Sequence, residues 1–464
     1  MRYISTRGGA PELDFRGVTL TGLARDGGLY VPDRWPTLAA ETLRSLRGAS
    51  YAETAVTVLA PFVGDVLSRA ELAALVEEAY ASFAHAAVTP LVQLDRRQWL
   101  LELFHGPTLA FKDVALQLLG LLFERFLADD AGPPLTIVGA TSGDTGSAAI
   151  AAVAGRERTR IVMLHPAGRV TEVQRRQMTT VLAPNVHNLA IEGSFDDAQA
   201  MVKRLFVEPT VTAQLRLSAV NSINWARLAA QVVYYVYAAV RLGAPERRVA
   251  FAVPTGNFGD VFAGYVASRM GLPVERLVVA TNVNDILHRA VCAGDYSAAD
   301  VVATATPSMD IQVSSNFERL LFDAGARDPG KLAAQMTAFD RDRRLLLSPE
   351  QRSAIASLFC SARVDPAEMA ETMRWAREAC GELIDPHTAI GLAAARRDDG
   401  DPAVPMVTLA TAHPAKFSDT VERATGARPS LPPRVGALFD REERLTTLPN
   451  DYAAVRDFVL AVGG

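Results

Sequence analysis

Of the 47 lysines and arginines in the chain, only four are lysine: Lys112, Lys203, Lys331 and Lys416. A guanidinium stays protonated at any working pH, whereas a lysine can lose its proton and become an amine nucleophile. A chain that uses arginine for nearly every positive charge marks its lysines as candidates for amine chemistry. Lys203 and Lys331 lie in ordinary amphipathic or loop contexts and read as surface charges. Lys112 lies in Glu102-Leu103-Phe104-His105-Gly106-Pro107-Thr108-Leu109-Ala110-Phe111-Lys112-Asp113. There a strand pattern ends, a Gly-Pro turn follows and an apolar helix begins. With Thr108 as N-cap, Lys112 falls within the first helical turns. The positive end of the helix dipole disfavours the ammonium form there, leaving more neutral amine to attack a carbonyl.

Three further segments have the composition of ligand loops. Thr141-Ser142-Gly143-Asp144-Thr145-Gly146-Ser147 follows a strand pattern and opens a helix. Backbone amides at a helix start, with hydroxyls from Thr141, Ser142 and Thr145 and the small Gly143, suit an anion such as a carboxylate. The segment lacks the Gly-Lys-Ser/Thr ending of a nucleotide P-loop. Pro254-Thr255-Gly256-Asn257-Phe258-Gly259-Asp260 also joins a strand to a helix and suits a phosphate. Phe258 occupies the position of the second glycine in a dinucleotide fingerprint, which argues against a nicotinamide enzyme. The Asp260 carboxylate would repel a phosphate and is expected to cap amides and point away. In Thr408-Leu409-Ala410-Thr411-Ala412-His413-Pro414-Ala415-Lys416-Phe417, a strand ends at Thr411, whose hydroxyl could bond a pyridine nitrogen at the sheet edge. Taken singly, each segment also fits a capped turn. His105 and His413 lie in these segments, and either could be a structural hydrogen-bonding group.

The elements that must carry these loops follow from the alternation of short apolar runs and helical patterns after Trp99. Strands are expected at Trp99–Phe104, Leu135–Gly139, Arg160–Leu164, His187–Ile191, Val249–Val253, Leu277–Ala280 and Met406–Ala410. Helices are expected between them, at Leu109–Leu127, Gly146–Ala154, Asp196–Phe206, Ile223–Leu242 and Asp260–Met270. This alternation predicts an α/β fold with mostly parallel sheets, whose ligands bind beyond the carboxyl ends of strands. Glu41–Arg47, Tyr51–Leu59 and Glu71–Phe83 read as helices of an N-terminal subdomain. Ala128–Pro134 and Pro429–Gly436 read as loops or linkers, the second leading to a C-terminal helix.

With 464 residues, 49% of them hydrophobic, the chain can bury a large core without disulfide or metal staples. Three scattered cysteines, Cys292, Cys360 and Cys380, form neither a disulfide framework nor a metal site, and they fit a reducing compartment. No zinc-protease, paired-cysteine or nucleophile-elbow motif is present. The N-terminus has no apolar signal region, and no apolar run is long enough to span a bilayer. A net charge of −5 with dispersed basic residues argues against nucleic-acid or membrane-surface partners.

Together these segments resemble the threonine synthases, pyridoxal-phosphate enzymes of the tryptophan-synthase-like fold (fold type II). Tyr3-Ile4-Ser5-Thr6-Arg7-Gly8 and Asp26-Gly27-Gly28-Leu29-Tyr30-Val31-Pro32 look like that family's opening. Asn221-Ser222-Ile223-Asn224-Trp225-Ala226-Arg227 and the segment Asp310 to Phe322 are also family-like, and all the matches keep the family's order. They point to its longer bacterial and fungal subclass. The resemblance implies two open, mostly parallel sheets flanked by helices, plus an N-terminal subdomain. The implied division is 1–95 for that subdomain, 96–132 and 226–425 for a large cofactor-binding domain, 133–225 for a small substrate-side domain and 426–464 for a C-terminal extension.

It further implies a cytoplasmic enzyme, monomer or homodimer, that carries pyridoxal 5'-phosphate as a Schiff base on Lys112 and makes L-threonine and phosphate from O-phospho-L-homoserine and water. Gly256, Asn257, Phe258, Gly259 and Asp260 would meet the cofactor phosphate, and Thr411 the pyridine ring. Thr141, Ser142, Gly143 and Thr145 would hold the substrate. The substrate phosphate needs a second cationic site, for which Arg227, with Ser142, Asn224 and Lys416, is the candidate group. No metal is implied. Many relatives of the wider fold have asparagine where this chain has Asp144, so their ring-oxygen contact is not carried over to it. A hydroxyamino-acid dehydratase or catabolic phospho-lyase of the same fold is the nearest rival. It would share Lys112 and the phosphate loop but lack the second phosphate site. A non-catalytic binding paralogue would be expected to lose Lys112.

Overall fold

The computed structural model describes residues 1–463. Two sheets carry the site. In the larger, the strands lie in the order Phe359–Arg363, Val274–Thr281, Val249–Pro254, Met406–Ala410, Gln98–Glu102 and Leu91–Gln93. All neighbours are parallel except the last pair. The smaller sheet has the order Thr446–Pro449, Val186–Glu192, Thr159–Pro166, Leu135–Ala140 and Arg216–Ser218, and it is parallel throughout. Every residue of Val249–Pro254 and Met406–Ala410 is buried, as strands with helices on both faces require. The expected two-sheet α/β architecture is present.

Helix Trp225–Arg241 is buried on all sides from Trp225 to Val240, the pattern of a core helix rather than a surface one. Helix Lys112–Leu127, also mostly buried, crosses helix Asp144–Val153 at backbone distance. A Cβ on Gly120 would stand 2.2 Å from the carbonyl oxygen of Ala152, so only glycine permits the approach.

The N-terminal subdomain packs into the same core. Strand Tyr3–Ser5 pairs with Tyr30–Pro32, the Tyr3 ring lies 5.9 Å from that of Trp225, and its hydroxyl donates to Phe62 O. The C-terminal segment, expected as an extension ending in a helix, adds a strand and that helix to the smaller sheet. Strand Thr446–Pro449 forms the outer edge of the smaller sheet, and helix Tyr452–Gly463 buries Val455 and Val459 against Leu205, Val211 and Leu215. An open parallel sheet exposes unpaired backbone at its edge, and this strand covers it.

Candidate active site

Strands Gln98–Glu102, Met406–Ala410 and Val249–Pro254 are parallel neighbours, so the loops that follow them leave one common edge. Two of these loops are stitched together: Phe111 N–H donates to Thr411 O at 2.8 Å and His413 N–H to Leu109 O at 3.0 Å. Thr108 is not the N-cap that the sequence suggests. The Asp113 carboxylate reaches back and takes both the Thr108 N–H (2.8 Å) and hydroxyl (2.6 Å). That draws residues 106–111 into a tight turn with Leu109 in the left-handed region (φ 64°), and the helix starts at Lys112 itself. Lys112 is in the first turn, as expected.

The Lys112 Nζ is buried, 3.4 Å from Asp144 Oδ2 and 4.7 Å from the centre of the Phe111 ring. Burial lowers its pKa; Asp144 opposes that shift, and the charges of Arg227 and Lys416 add to it. For Asp144, burial alone would raise the pKa, but Lys416 and Lys112 together hold the carboxylate well below its usual range. Asp144 is the central residue to which the sequence assigned no role. Lys416, proposed from sequence for the substrate phosphate, is occupied elsewhere. Its side chain has no exposed surface, and its ammonium sits 2.9 Å from Asp144 Oδ1 and donates to Thr108 O at 2.7 Å. Gln174 donates to the same carboxylate at 2.8 Å. An ammonium with those two contacts is the counter-ion of Asp144, not a free phosphate ligand.

The loop from Thr141 to Ser147 divides its labour. The Thr141 hydroxyl oxygen accepts the N–H groups of Gly143 (3.0 Å) and Gly146 (2.9 Å), so Thr141 shapes the loop rather than offering itself to a ligand. Gly143 has φ 134°, and a Cβ there would collide with Gln174 at 2.4 Å. The Ser142 and Thr145 hydroxyls are half-buried and, among the described residues, have no hydrogen-bond partner. Thr411 is buried at its strand end, and among the described residues its hydroxyl has no partner.

The Gly256–Gly259 loop has the form of an anion nest. Among the described residues, no acceptor meets the N–H groups of Gly256, Asn257 or Phe258. Phe258 takes a left-handed backbone (φ 63°), a conformation a bulky residue rarely adopts, and its ring is locked between Phe317 and Phe359. A Cβ on Gly256 would stand 2.5 Å from Ser308 O. The Asp260 carboxylate does not cap amides as expected. It turns to helix Trp225–Arg241, where the Tyr234 and Tyr235 hydroxyls donate to it. Burial raises its pKa to about 6 in spite of those bonds.

Arg227 is buried, its Nη1 has no partner, and burial pushes its guanidinium down to about 10. Asp260 acts on it only at a distance, and a buried cation with no ion pair among the described residues suits an anion. Asn221 Oδ1, nearby in sequence, is also buried and unpaired. Asn224 is committed to the scaffold: it caps the helix through Ala226 N–H, donates to Thr19 O at 2.8 Å and is fully buried. His105 pairs with Glu102 at 2.7 Å, and His413 Nδ1 accepts Ala415 N–H, both structural.

A buried amine, an anion nest, a strand-end hydroxyl and a buried guanidinium with an unpartnered Nη1 fit pyridoxal 5'-phosphate and a second anion. The class follows, and the chain from 83 to 349 matches the family model "Pyridoxal-phosphate dependent enzyme". Residues 2–80 match "Threonine synthase N terminus" and 388–459 match "Threonine synthase, C-terminal". The chain is 53% identical to the threonine synthase of Pseudomonas aeruginosa over 99% of this chain and 98% of that one. To the Schizosaccharomyces pombe threonine synthase it is 42% identical, covering 91% and 89%. It superposes on the pyridoxal-phosphate-bound threonine synthase of Brucella melitensis with a TM-score of 0.97 at 52% identity, over 100% of this chain and 99% of that one. The chain belongs to the threonine synthase family.

Proposed function

We propose that the chain converts O-phospho-L-homoserine and water to L-threonine and phosphate, with pyridoxal 5'-phosphate held on Lys112. One observation supports the reading: the buried Lys112 amine shares the Asp144 carboxylate with a better-bonded Lys416, at the edge where an amide nest and a buried arginine also suit anions. When bound, the cofactor supplies the electron sink that makes carbon-bound protons of the substrate removable.

The protein's part is position and proton transfer. The Gly256–Gly259 amides hold the cofactor phosphate, helped by the following helix. The Thr411 hydroxyl pairs with the ring nitrogen, and being neutral it does not force that nitrogen to stay protonated. Ser142, Thr145 and the amides of their loop orient the substrate carboxylate. Arg227 grips the substrate phosphate, a match for its fork of donors. Lys112 Nζ, freed from the cofactor, takes and returns protons at the adjacent carbons. The enzyme works in the cytoplasm as a monomer or homodimer. Among the described residues no helix is long and apolar enough to cross a membrane.

The test is to incubate protein and cofactor with O-phospho-L-homoserine and to measure threonine and phosphate together. Equal release by the native protein and none by Lys112→Ala is the expected result. Phosphate with 2-ketobutyrate in place of threonine would instead make the protein a phospho-lyase of the same fold.

A further inference from the structure

Asn316 stands at the N-cap of helix Phe317–Ala324, a position where asparagine normally accepts a helix amide, yet its side chain makes no capping bond. It is fully buried. Its amide nitrogen donates one hydrogen to Asn257 O at 3.0 Å and the other to Ser222 O at 3.1 Å. Its oxygen accepts from Arg319, also fully buried, which contacts no carboxylate. Arg319 gives its other donors to Tyr30 O (3.0 Å) and Ile223 O (2.6 Å). Two residues earlier, the Ser314 hydroxyl donates to Gly256 O at 2.7 Å.

In a trans peptide the carbonyl and the amide hydrogen point in opposite directions. Fixing the carbonyls of Gly256 and Asn257 therefore aims the N–H groups of Asn257 and Phe258 away from the 314–316 strip, toward the nest. Fixing those of Ser222 and Ile223 does the same for Ile223 and Asn224. One primary amide thus bonds peptide units in both anion-binding segments, one hydrogen to each, adding to the bond that the Asn316 backbone N–H makes to Asn257 O at 3.1 Å.

We propose that Asn316 is a positioning residue that builds the cofactor-phosphate loop and the Asn221–Arg227 segment as one unit at a fixed spacing, with Arg319 holding it in place. The inference rests on the reading that the Asn221–Arg227 segment takes the substrate phosphate. The experiment compares Asn316→Ala, Ser314→Ala and Arg227→Lys. Pyridoxal 5'-phosphate is titrated into each apoprotein by fluorescence, and KM and kcat for O-phospho-L-homoserine are then measured at saturating cofactor.

Asn316→Ala is expected to raise both the cofactor Kd and the substrate KM by ~tenfold, about the loss of one well-placed hydrogen bond for each loop, with less change in kcat. Ser314→Ala should raise the cofactor Kd alone, and Arg227→Lys the substrate KM alone. Should Asn316→Ala fail to fold, Asn316→Asp keeps the shape and the Arg319 contact, loses both donors and is held to the same expectation. An unchanged cofactor Kd, or a change in only one of the two constants, overturns the proposal. An unchanged KM in Arg227→Lys would sink the substrate-phosphate reading instead, whatever Asn316 does.

Discussion

Lys112 and Lys416 face the same carboxylate from two loops of one sheet edge, and their surroundings set them to opposite work. Lys416 has the shorter contact to Asp144 and a backbone carbonyl besides, with no exposed surface. Lys112 is left with a 3.4 Å approach to the other oxygen, an aromatic ring and burial that depresses its pKa. One lysine neutralises the aspartate so that the other need not. Lys416 gives the buried carboxylate its counter-charge, whereas Lys112 alone beside it would be drawn into a tight ion pair and lost as a nucleophile.

The sharpest break is Lys112→Arg, which keeps the charge and removes the deprotonable amine. Turnover should fall by ~10³-fold or more while the apoprotein melts close to native, since the cation still faces Asp144. Activity above one per cent of native would end the claim that Lys112 moves protons. Next is Lys416→Met, which strands Asp144 with Lys112 alone. Removing one partner of a buried pair costs ~3–5 kcal/mol, read by denaturant unfolding. It also removes a positive neighbour, so the Lys112 pKa should rise and the alkaline onset of activity should move to higher pH. Adding Asp144→Leu to that variant should restore much of the stability, and a double variant as unstable as the single one would contradict the counter-ion role.

Asp260 sharpens the contrast from the acidic side, because it has phenols where Asp144 has lysines, and its pKa is raised to about 6. A carboxyl whose folded pKa lies above its unfolded value costs stability as pH rises from the unfolded value through about 6. Asp260→Asn should therefore stabilise the apoprotein at pH 7–8 by at most ~3 kcal/mol, with the gain gone near pH 4. A gain independent of pH would mean that the side chain does not titrate there. The smallest effect expected is His413→Ala, which removes the cap of the turn that carries Lys416 and should cost ~1 kcal/mol, with His413→Asn recovering it. Equal melting of the two variants would leave that turn held by other contacts.

The chemistry-bearing loops were legible because each sits at a switch from strand to helix pattern. Met406–Ala410 even has its expected bounds, since five buried apolar or β-branched positions leave little choice. Lys112 stood out by rarity. The roles of Asp144 and Lys416 did not, because their pairing joins residues from two sheets and no local pattern encodes it. Asn224 and Thr141 misled for a related reason. Their types suit ligands and caps equally, and only the fold reveals which acceptor or donor lies nearby. Phe359–Arg363 escaped notice because after Phe359 it holds only small residues and an arginine at a sheet edge, and Thr446–Pro449 because it is short and ends in proline. The work of Asn316 was invisible for the opposite reason, since an asparagine before a helix reads as a cap.

The contact between Gly120 and Ala152 has a mechanical consequence. Gly120 lies eight residues along its helix from Lys112, and Ala152 eight residues along its helix from Asp144. At 1.5 Å per residue the crossing point is about 12 Å from each of the two groups. It acts as the fulcrum of a pair of equal levers. A rotation of about 5° there swings either tip by about 1 Å over that arm, enough to close the 3.4 Å gap between lysine and aspartate or to open it beyond bonding range. A bulkier residue at position 120 would lift the fulcrum, so the site should be felt to loosen from two helical turns away.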